Sequence, residues 1–322
     1  MALVFIDGFD GYGSSVPISS KWPTPPGVSQ FQTGRFGGQS LSMSVQSGIN
    51  LTSGTGWAVG VAVKLNGTIS TTAQLISLRN GTTLVGVIGF NSLNQILAAT
   101  TSLSSPYASS SQSIAQNAWN YIEWVVNLAS TGGTSQVFLN GQQIINFTGN
   151  TGSGAINNLL LGNSNSVSFN FDDFYVSSGA TRIGEARVET LAPASNDAVQ
   201  WTPNGNANNF GCVNELPWNG DTTYISSSTP GQQDTFNINA LSSTPLNIFA
   251  VQVTYAARKD DANTRTIAGV LKSGAASVVG ANNNLASTYQ VFSDIYANDP
   301  NTSAPWSAAA VNAAKIGVRE VV

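Results

Sequence analysis

From Trp57 onward the chain alternates apolar and polar positions with the period of two that marks a half-buried strand. Trp57–Leu65 (WAVGVAVKL) ends at Asn66-Gly67, a dipeptide suited to a tight hairpin turn. Gln74–Leu78 (QLISL) stops at Asn80-Gly81, and Leu84–Phe90 and Gln95–Ala99 flank a turn at Asn91–Asn94. In Asn117–Leu128 (NAWNYIEWVVNL) a regular strand sets Trp119, Tyr121, Glu123 and Val125 on one face. Asn120, Ile122, Trp124 and Val126 share the other, so only one of the two tryptophans points into a core. Gln136–Leu139, the turn Asn140-Gly141 and Gln143–Phe147 form the clearest hairpin, and Leu159–Leu161 and Ser168–Val176 close the run. No window in this half sustains helical periodicity. Ser104–Gln116 (SSPYASSSQSIAQ) is polar and serine-rich and reads as a long surface loop.

Charges return between Ser177 and Trp201, with Arg182, Glu185, Arg187 and Glu189, and Ala192–Asn196 (APASN) reads as a turn. A domain boundary is expected there. Beyond it Thr222–Ser226, Asp234–Ile238, Leu246–Arg258, Arg265–Leu271, Thr288–Tyr296 and Ala314–Val322 read as strands, with a short helical stretch within Trp306–Ala314. Many short strands joined by Asn-Gly turns predict an all-β protein, not alternating β and α units. At 322 residues the chain exceeds one comfortable core, which predicts two domains, over 1–180 and 181–322.

Composition sharpens this picture in one respect. Charged residues make up 9% of the chain, against about 25% in ordinary soluble domains. Between Trp57 and Asn170 the only charged side chains are Lys64, Arg79 and Glu123. Solubility therefore rests on Ser, Thr, Asn, Gln and Gly, as on proteins that work outside cells or in particle shells. Net charge is −4 and no basic run is longer than Arg258-Lys259, so the cationic footprint of a nucleic-acid binder is absent. No stretch approaches the roughly 18 apolar residues of a membrane span. Met1–Asp10 (MALVFIDGFD) lacks the basic start and long apolar core of a signal peptide. Cys212 is alone, so no disulfide forms within the chain. The expectation is synthesis in a host cytoplasm followed by release within a virion; a leaderless cytosolic β-protein is the alternative.

Several landmarks resemble the concanavalin A-like, or laminin G-like, superfamily: Trp57–Lys64 (WAVGVAVK), Trp119–Asn127 (WNYIEWVVN), Val137–Gly141 (VFLNG) and Phe171–Val176 (FDDFYV). The resemblance implies a jelly-roll β-sandwich over the first domain, followed by a mainly β domain that serves anchoring or assembly. The whole layout is also similar to bacteriophage virion structural proteins. That likeness rests on Phe5–Tyr12 (FIDGFDGY), Gly184–Thr190 (GEARVET), Asp221–Asp234 (DTTYISSSTPGQQD) and Pro305–Val318 (PWSAAAVNAAKIGV). It implies a tail- or capsid-associated protein acting through contacts with other virion proteins, self-associating, with a trimer as the expected state. The alternative it leaves open is a carbohydrate-binding adhesin at the tail that recognises a host-surface glycan.

Candidate chemistry is sparse. The chain has no histidine, which removes Ser-His-Asp and Cys-His catalysis and every histidine metal site. Sugar hydrolysis, which the resembled fold also hosts, needs two carboxyl groups about 5–9.5 Å apart. Glu123 stands alone across the middle of the sandwich, the family's E-x-D-x-x-E strand is missing, and Asp172 and Asp173 would point to opposite faces of a regular strand. No catalytic residue and no required cofactor are therefore assigned. The first and last strands of the resembled fold lie side by side, so Asp7, Asp10, Asp172 and Asp173 could converge on calcium. The plainer reading is that they bond backbone amides near strand ends. Trp22, Tyr107, Trp218 and Trp306 lie outside clear strand cores and are the candidates for stacking on a glycan.

Overall fold

The computed structural model describes residues 2–23, 30–43, 45–162 and 167–322, and they divide into two compact units. The first unit comprises residues 1–9 and 22–188; the second comprises 10–21 and 189–322. The chain is all-β, with antiparallel sheets in both units.

The first unit carries β1 (Leu3–Asp7), β2 (Gln30–Thr33), β3 (Gln39–Met43), β4 (Ser47–Gly54), β5 (Gly56–Leu65), β6 (Thr72–Asn80) and β7 (Thr83–Asn91). It continues with β8 (Gln95–Ala99), β9 (Ala108–Ser113), β10 (Trp119–Asn127), β11 (Gly133–Leu139), β12 (Gln142–Gly149), β13 (Ile156–Leu161) and β14 (Phe169–Ser178). An eight-stranded sheet runs β12-β11-β10-β5-β14-β3-β2, with β1 also on β14, and a six-stranded sheet runs β4-β13-β6-β7-β8-β9. On the edge away from β5, β14 takes β3 along Phe169–Phe171 and β1 along Phe174–Ser177. The expected loop at Ser104–Gln116 contains β9: its backbone pairs with β8 although its side chains are polar, because an edge strand needs no apolar face.

Alternation decides what faces the core. Ile122, Trp124 and Val126 point inward from β10, and Trp124 lies against Gly86 of the other sheet, 3.3 Å from where a Cβ would sit. Its indole Nε1 donates to Ser135 Oγ at 3.0 Å, so the buried N–H is satisfied inside the core. Phe90 and Phe169 meet across the two sheets at 5.9 Å between ring centroids. Trp119 falls on the opposite face of β10, beside Tyr121 and Tyr175.

The second unit holds β15 (Pro193–Ala198), β16 (Thr202–Asn204), β17 (Tyr224–Ser226), β18 (Gln233–Ile238), β19 (Val251–Ala257), β20 (Thr266–Ser273) and β21 (Ala276–Val279). After β22 (Asn283–Asn284) and β23 (Gln290–Tyr296), a short helix α1 (Ala308–Ala313) leads into β24 (Lys315–Glu320). Its main sheet runs β15-β18-β24-β20-β21, and β19 pairs separately with β23. Ser307 caps the helix by accepting from Ala310 N, as its position before an alanine run dictates. The core gathers Val253, Tyr255, Ile267, Leu271, Trp306, Val311 and Ala314. Segment 10–21 belongs here too: Gly11 packs against the Trp218 indole, and Tyr12 meets that ring edge-on at 5.6 Å.

On the other face of this sheet Asp197 accepts from Lys272 Nζ at 2.9 Å, from Thr235 Oγ1 at 2.8 Å and from Lys315. The hydrogen bonds from Lys315 and then Lys272 hold its carboxyl well below the usual aspartate range. Because the folded pKa is depressed, the stability that Asp197 contributes is present above its unfolded pKa of about 4 and is lost as pH falls through the folded value. Asp197→Asn should therefore be less stable than wild type in urea unfolding at neutral pH, with the gap closing as the pH drops below about 4.

Candidate functional site

The outer face of the larger sheet of the first unit holds the carboxylates that the sequence singles out. Glu123 faces outward from the middle of β10 yet is only 1% exposed, because residues 180–188 cross above it. Its carboxylate accepts from Tyr175 Oη at 2.8 Å, Gly184 N at 2.8 Å and Arg182 Nε at 2.7 Å. Ile183 and Ala186 of the crossing segment pack on Ala62, Tyr121 and Tyr175. Gly60 is required beneath them, since a Cβ there would occupy the Tyr175 ring. Burial, then the charge of Glu123, pushes the Tyr175 hydroxyl far above the ordinary tyrosine range, so it stays a donor at any physiological pH.

A second clasp sits one strand away. A β-bulge in β14, with Asp173 at φ 49°, breaks the alternation expected of adjacent aspartates. Asp172 Oδ2 accepts from Arg35 N at 2.7 Å, while Asp173 Oδ2 lies 3.4 Å from Arg35 Nη1 and its Oδ1 accepts from Val188 N at 2.8 Å. Asp172 and Asp173 therefore both engage Arg35, which also pairs with Glu185 of the crossing segment. Burial raises the Asp173 carboxyl above its usual range, against the Val188 amide and the Arg35 charge. At 1% and 2% exposure Glu123 and Asp173 are cut off from solvent, and their hydrogen-bond partners hold 182–188 down.

Three of the four calcium candidates have protein donors as partners. Asp7 accepts from Phe9 N at 2.9 Å and Trp22 Nε1 at 2.9 Å, Asp172 and Asp173 clasp Arg35, and Asp10 lies in the second unit. Among the described residues no three His, Cys, Asp or Glu side chains come together as metal ligands. The four aromatics offered as glycan platforms are also engaged. Trp22 is fully buried among Phe5, Phe9 and Phe174, and Trp306 is 4% exposed with Nε1 donating to Tyr296 O. Tyr107 stacks on Phe147 at 4.6 Å, and Trp218 packs on Gly11 and Tyr12. Strand pattern alone leaves aromatics between strands outside the core, but here the loops carry their own packing contacts.

The outer face of the smaller sheet is different. Across three neighbouring strands Asn50, Asn158 and Arg79 stand in register, spanning about 10 Å at two strand spacings. Asn158 Nδ2 donates to Asn50 Oδ1 at 3.2 Å and to Ile49 O at 3.1 Å. Toward one end of this row Gln46 Nε2 donates to Gln74 Oε1 at 2.8 Å, and Ser77 Oγ donates to the same oxygen at 3.2 Å. Toward the other, Asn157 Nδ2 donates to Asn80 Oδ1 at 3.3 Å. Arg79 Nη2 donates to Gln46 Oε1 at 3.2 Å and Nη1 to Thr82 O at 3.3 Å, while its buried Nε has no hydrogen-bond partner. Four carboxamides, Asn50, Asn158, Gln46 and Gln74, and one guanidinium thus share a half-exposed face that offers donors and acceptors side by side, while Asn157 and Asn80 alternate away from it. The sequence signal for it was Arg79 itself, one of only three charges from Trp57 to Asn170.

No protein-family model and no curated protein matches the chain. Among solved structures it is similar to domain 4 of AbnA, an extracellular GH43 arabinanase from Geobacillus stearothermophilus in complex with arabinotriose, at 20% identity and a TM-score of 0.35, covering 49% of this chain and 79% of that one. It is similar to the carbohydrate binding module CBM66 from Bacillus subtilis at 12% identity and a TM-score of 0.34, covering 47% and 92%. A sialidase matches at 7% identity and a TM-score of 0.34, over 46% of this chain, which spans 16% of that protein. No helix of the described residues is long and apolar enough to cross a membrane.

The clasp predicts its own behaviour. Arg182→Met leaves a buried carboxylate short of its strongest donor, so urea unfolding of the first unit should be easier by about 1.5–3 kcal/mol. Tryptic cleavage after Arg187 should accelerate in the same variant; unchanged cleavage would show that Glu123 does not hold the segment.

Proposed function

We propose that this chain is a non-enzymatic carbohydrate-binding protein whose first unit is a concanavalin A-like jelly roll. What supports the fold reading is the pairing of two antiparallel sheets face to face with the first strand laid on the last. What carries the binding reading is the row Asn50, Asn158 and Arg79, extended by Gln46 and Gln74. A sugar presents many hydroxyls that need donors and acceptors together, and carboxamides supply both without a charge to desolvate. The non-enzymatic reading is supported by Glu123 and Asp173, the two carboxylates at the centre of the larger sheet's outer face, being sealed from solvent and held by protein donors.

Binding should be measured by calorimetry with the intact chain after screening an oligosaccharide array. Asn158→Ala should weaken it by about tenfold, the worth of roughly one hydrogen bond, without changing the melting temperature. A wild-type chain that binds no glycan, or binding indifferent to both Asn158→Ala and Asn50→Ala, would sink the reading.

The setting we propose is the surface of a bacteriophage particle. It rests on the sequence resemblance and on the scarcity of charge, which lets neutral faces pack against other virion proteins without stripping ions of water. Immunogold labelling with an antibody against the chain should decorate purified particles; unlabelled particles would remove this setting and leave the sugar-binding reading standing.

A further inference from the structure

We infer that the ligand of the carboxamide face is an acidic sugar, whose carboxylate is taken by Arg79. This deepens the carbohydrate reading and rests on it.

The inference starts from unmatched charge. Of the three charged side chains between Trp57 and Asn170, Glu123 is neutralised by Arg182, and Lys64 lies on the larger sheet, whose outer face already carries Asp172 and Asp173. Arg79 has only neutral acceptors, the Gln46 amide oxygen and the Thr82 carbonyl, and no carboxylate among the described residues. It is half-buried, with Nε shielded and unbonded. A partly desolvated cation and an unsatisfied buried N–H both cost stability, and nothing in the fold of this face needs them. A glutamine at position 79 would complete the carboxamide row with no charge at all. The feature that a glutamine cannot supply is the planar guanidinium fork, which holds a carboxylate by two parallel charge-assisted hydrogen bonds.

The neighbours suit the same ligand. Gln46 Oε1 and Thr82 O each make a long contact to Arg79, 3.2 and 3.3 Å, which a carboxylate can replace at little cost. Asn158, on the adjacent strand, and Asn50, on the strand beyond it, stand in the same register row as Arg79, where they meet the hydroxyls of the ring. No acidic side chain of the smaller sheet competes, since β4, β6 and β13 carry none.

The test compares oligogalacturonate with neutral oligogalactose of the same length on the intact protein by calorimetry, at low and at high salt. The uronate is expected to bind at least about tenfold more tightly at low salt, with the preference shrinking as salt screens the charge. In Arg79→Gln the uronate-to-neutral ratio should fall toward one, and in Arg79→Lys, which keeps the charge but loses the fork, it should be intermediate. Equal binding of the two sugars by the wild type, or a ratio unchanged in Arg79→Gln, overturns the assignment to Arg79 while leaving the carbohydrate reading intact. Binding of neither sugar overturns this inference, and the carbohydrate reading falls with it only when the oligosaccharide array is blank as well. Should Arg79→Gln fail to fold, the ratio in Arg79→Lys decides.

Discussion

A carboxylate placed in the middle of a sheet and cut off from water must be given donors, and the architecture of the first unit follows from how Glu123 obtains them. The strand beside it supplies none, because Gly60 has no side chain. The donors come from Tyr175 on the next strand and from Arg182 and Gly184 of the segment that follows the last strand. An ionised group that has lost its hydration is costly unless it is paired and hydrogen-bonded, so the segment that brings Arg182 is fixed wherever Glu123 is. Arg35 repeats the arrangement with Asp172, Asp173 and Glu185. Together the two clasps turn a polar sheet face into an interior.

The opposite sheet carries the contrast. On β4, β13 and β6 its outer face carries amides and one guanidinium, groups whose hydrogen bonds can be exchanged with water or ligand without stranding a carboxylate. One face of the sandwich is thus locked by ion pairs and the other left open by their absence. Low overall charge makes both possible: with few ions to place, the fold buries almost all of its carboxylates in this unit and leaves Arg79 unpaired on the far side.

Much of the fold is legible in the sequence where side-chain alternation and Asn-Gly turns agree. The hairpin of β11 and β12 and the two faces of β10 emerge at the expected residues. Alternation could not say whether Trp119 or Trp124 points inward, because both faces of that strand are covered; packing against Gly86 settles it for Trp124. The four opening strands carry no Asn-Gly turn between them, β3 and β4 are rich in serine, and β1 and β4 pair with the distant β14 and β13. The bulge at Asp172–Asp173 reverses the rule used to separate those two carboxylates, and it has no local signature beyond an aspartate that tolerates positive φ. The open face was legible only as an oddity, a single arginine among amides, since its other members come together from β4, β6 and β13.

The division of the chain also has a temporal side. Residues 10–21 belong with residues far toward the other end, where Gly11 and Tyr12 meet Trp218, and β1 completes a sheet whose adjoining strand is β14. Residues of β1 and of segment 10–21 therefore find their places only after β14 and Trp218 have been synthesised. Such long-range pairing is slow, and it leaves the apolar opening segment uncovered during synthesis. Until those distant residues are made, β1 and segment 10–21 have nothing to fold against, and that interval is when the chain is most exposed to aggregation.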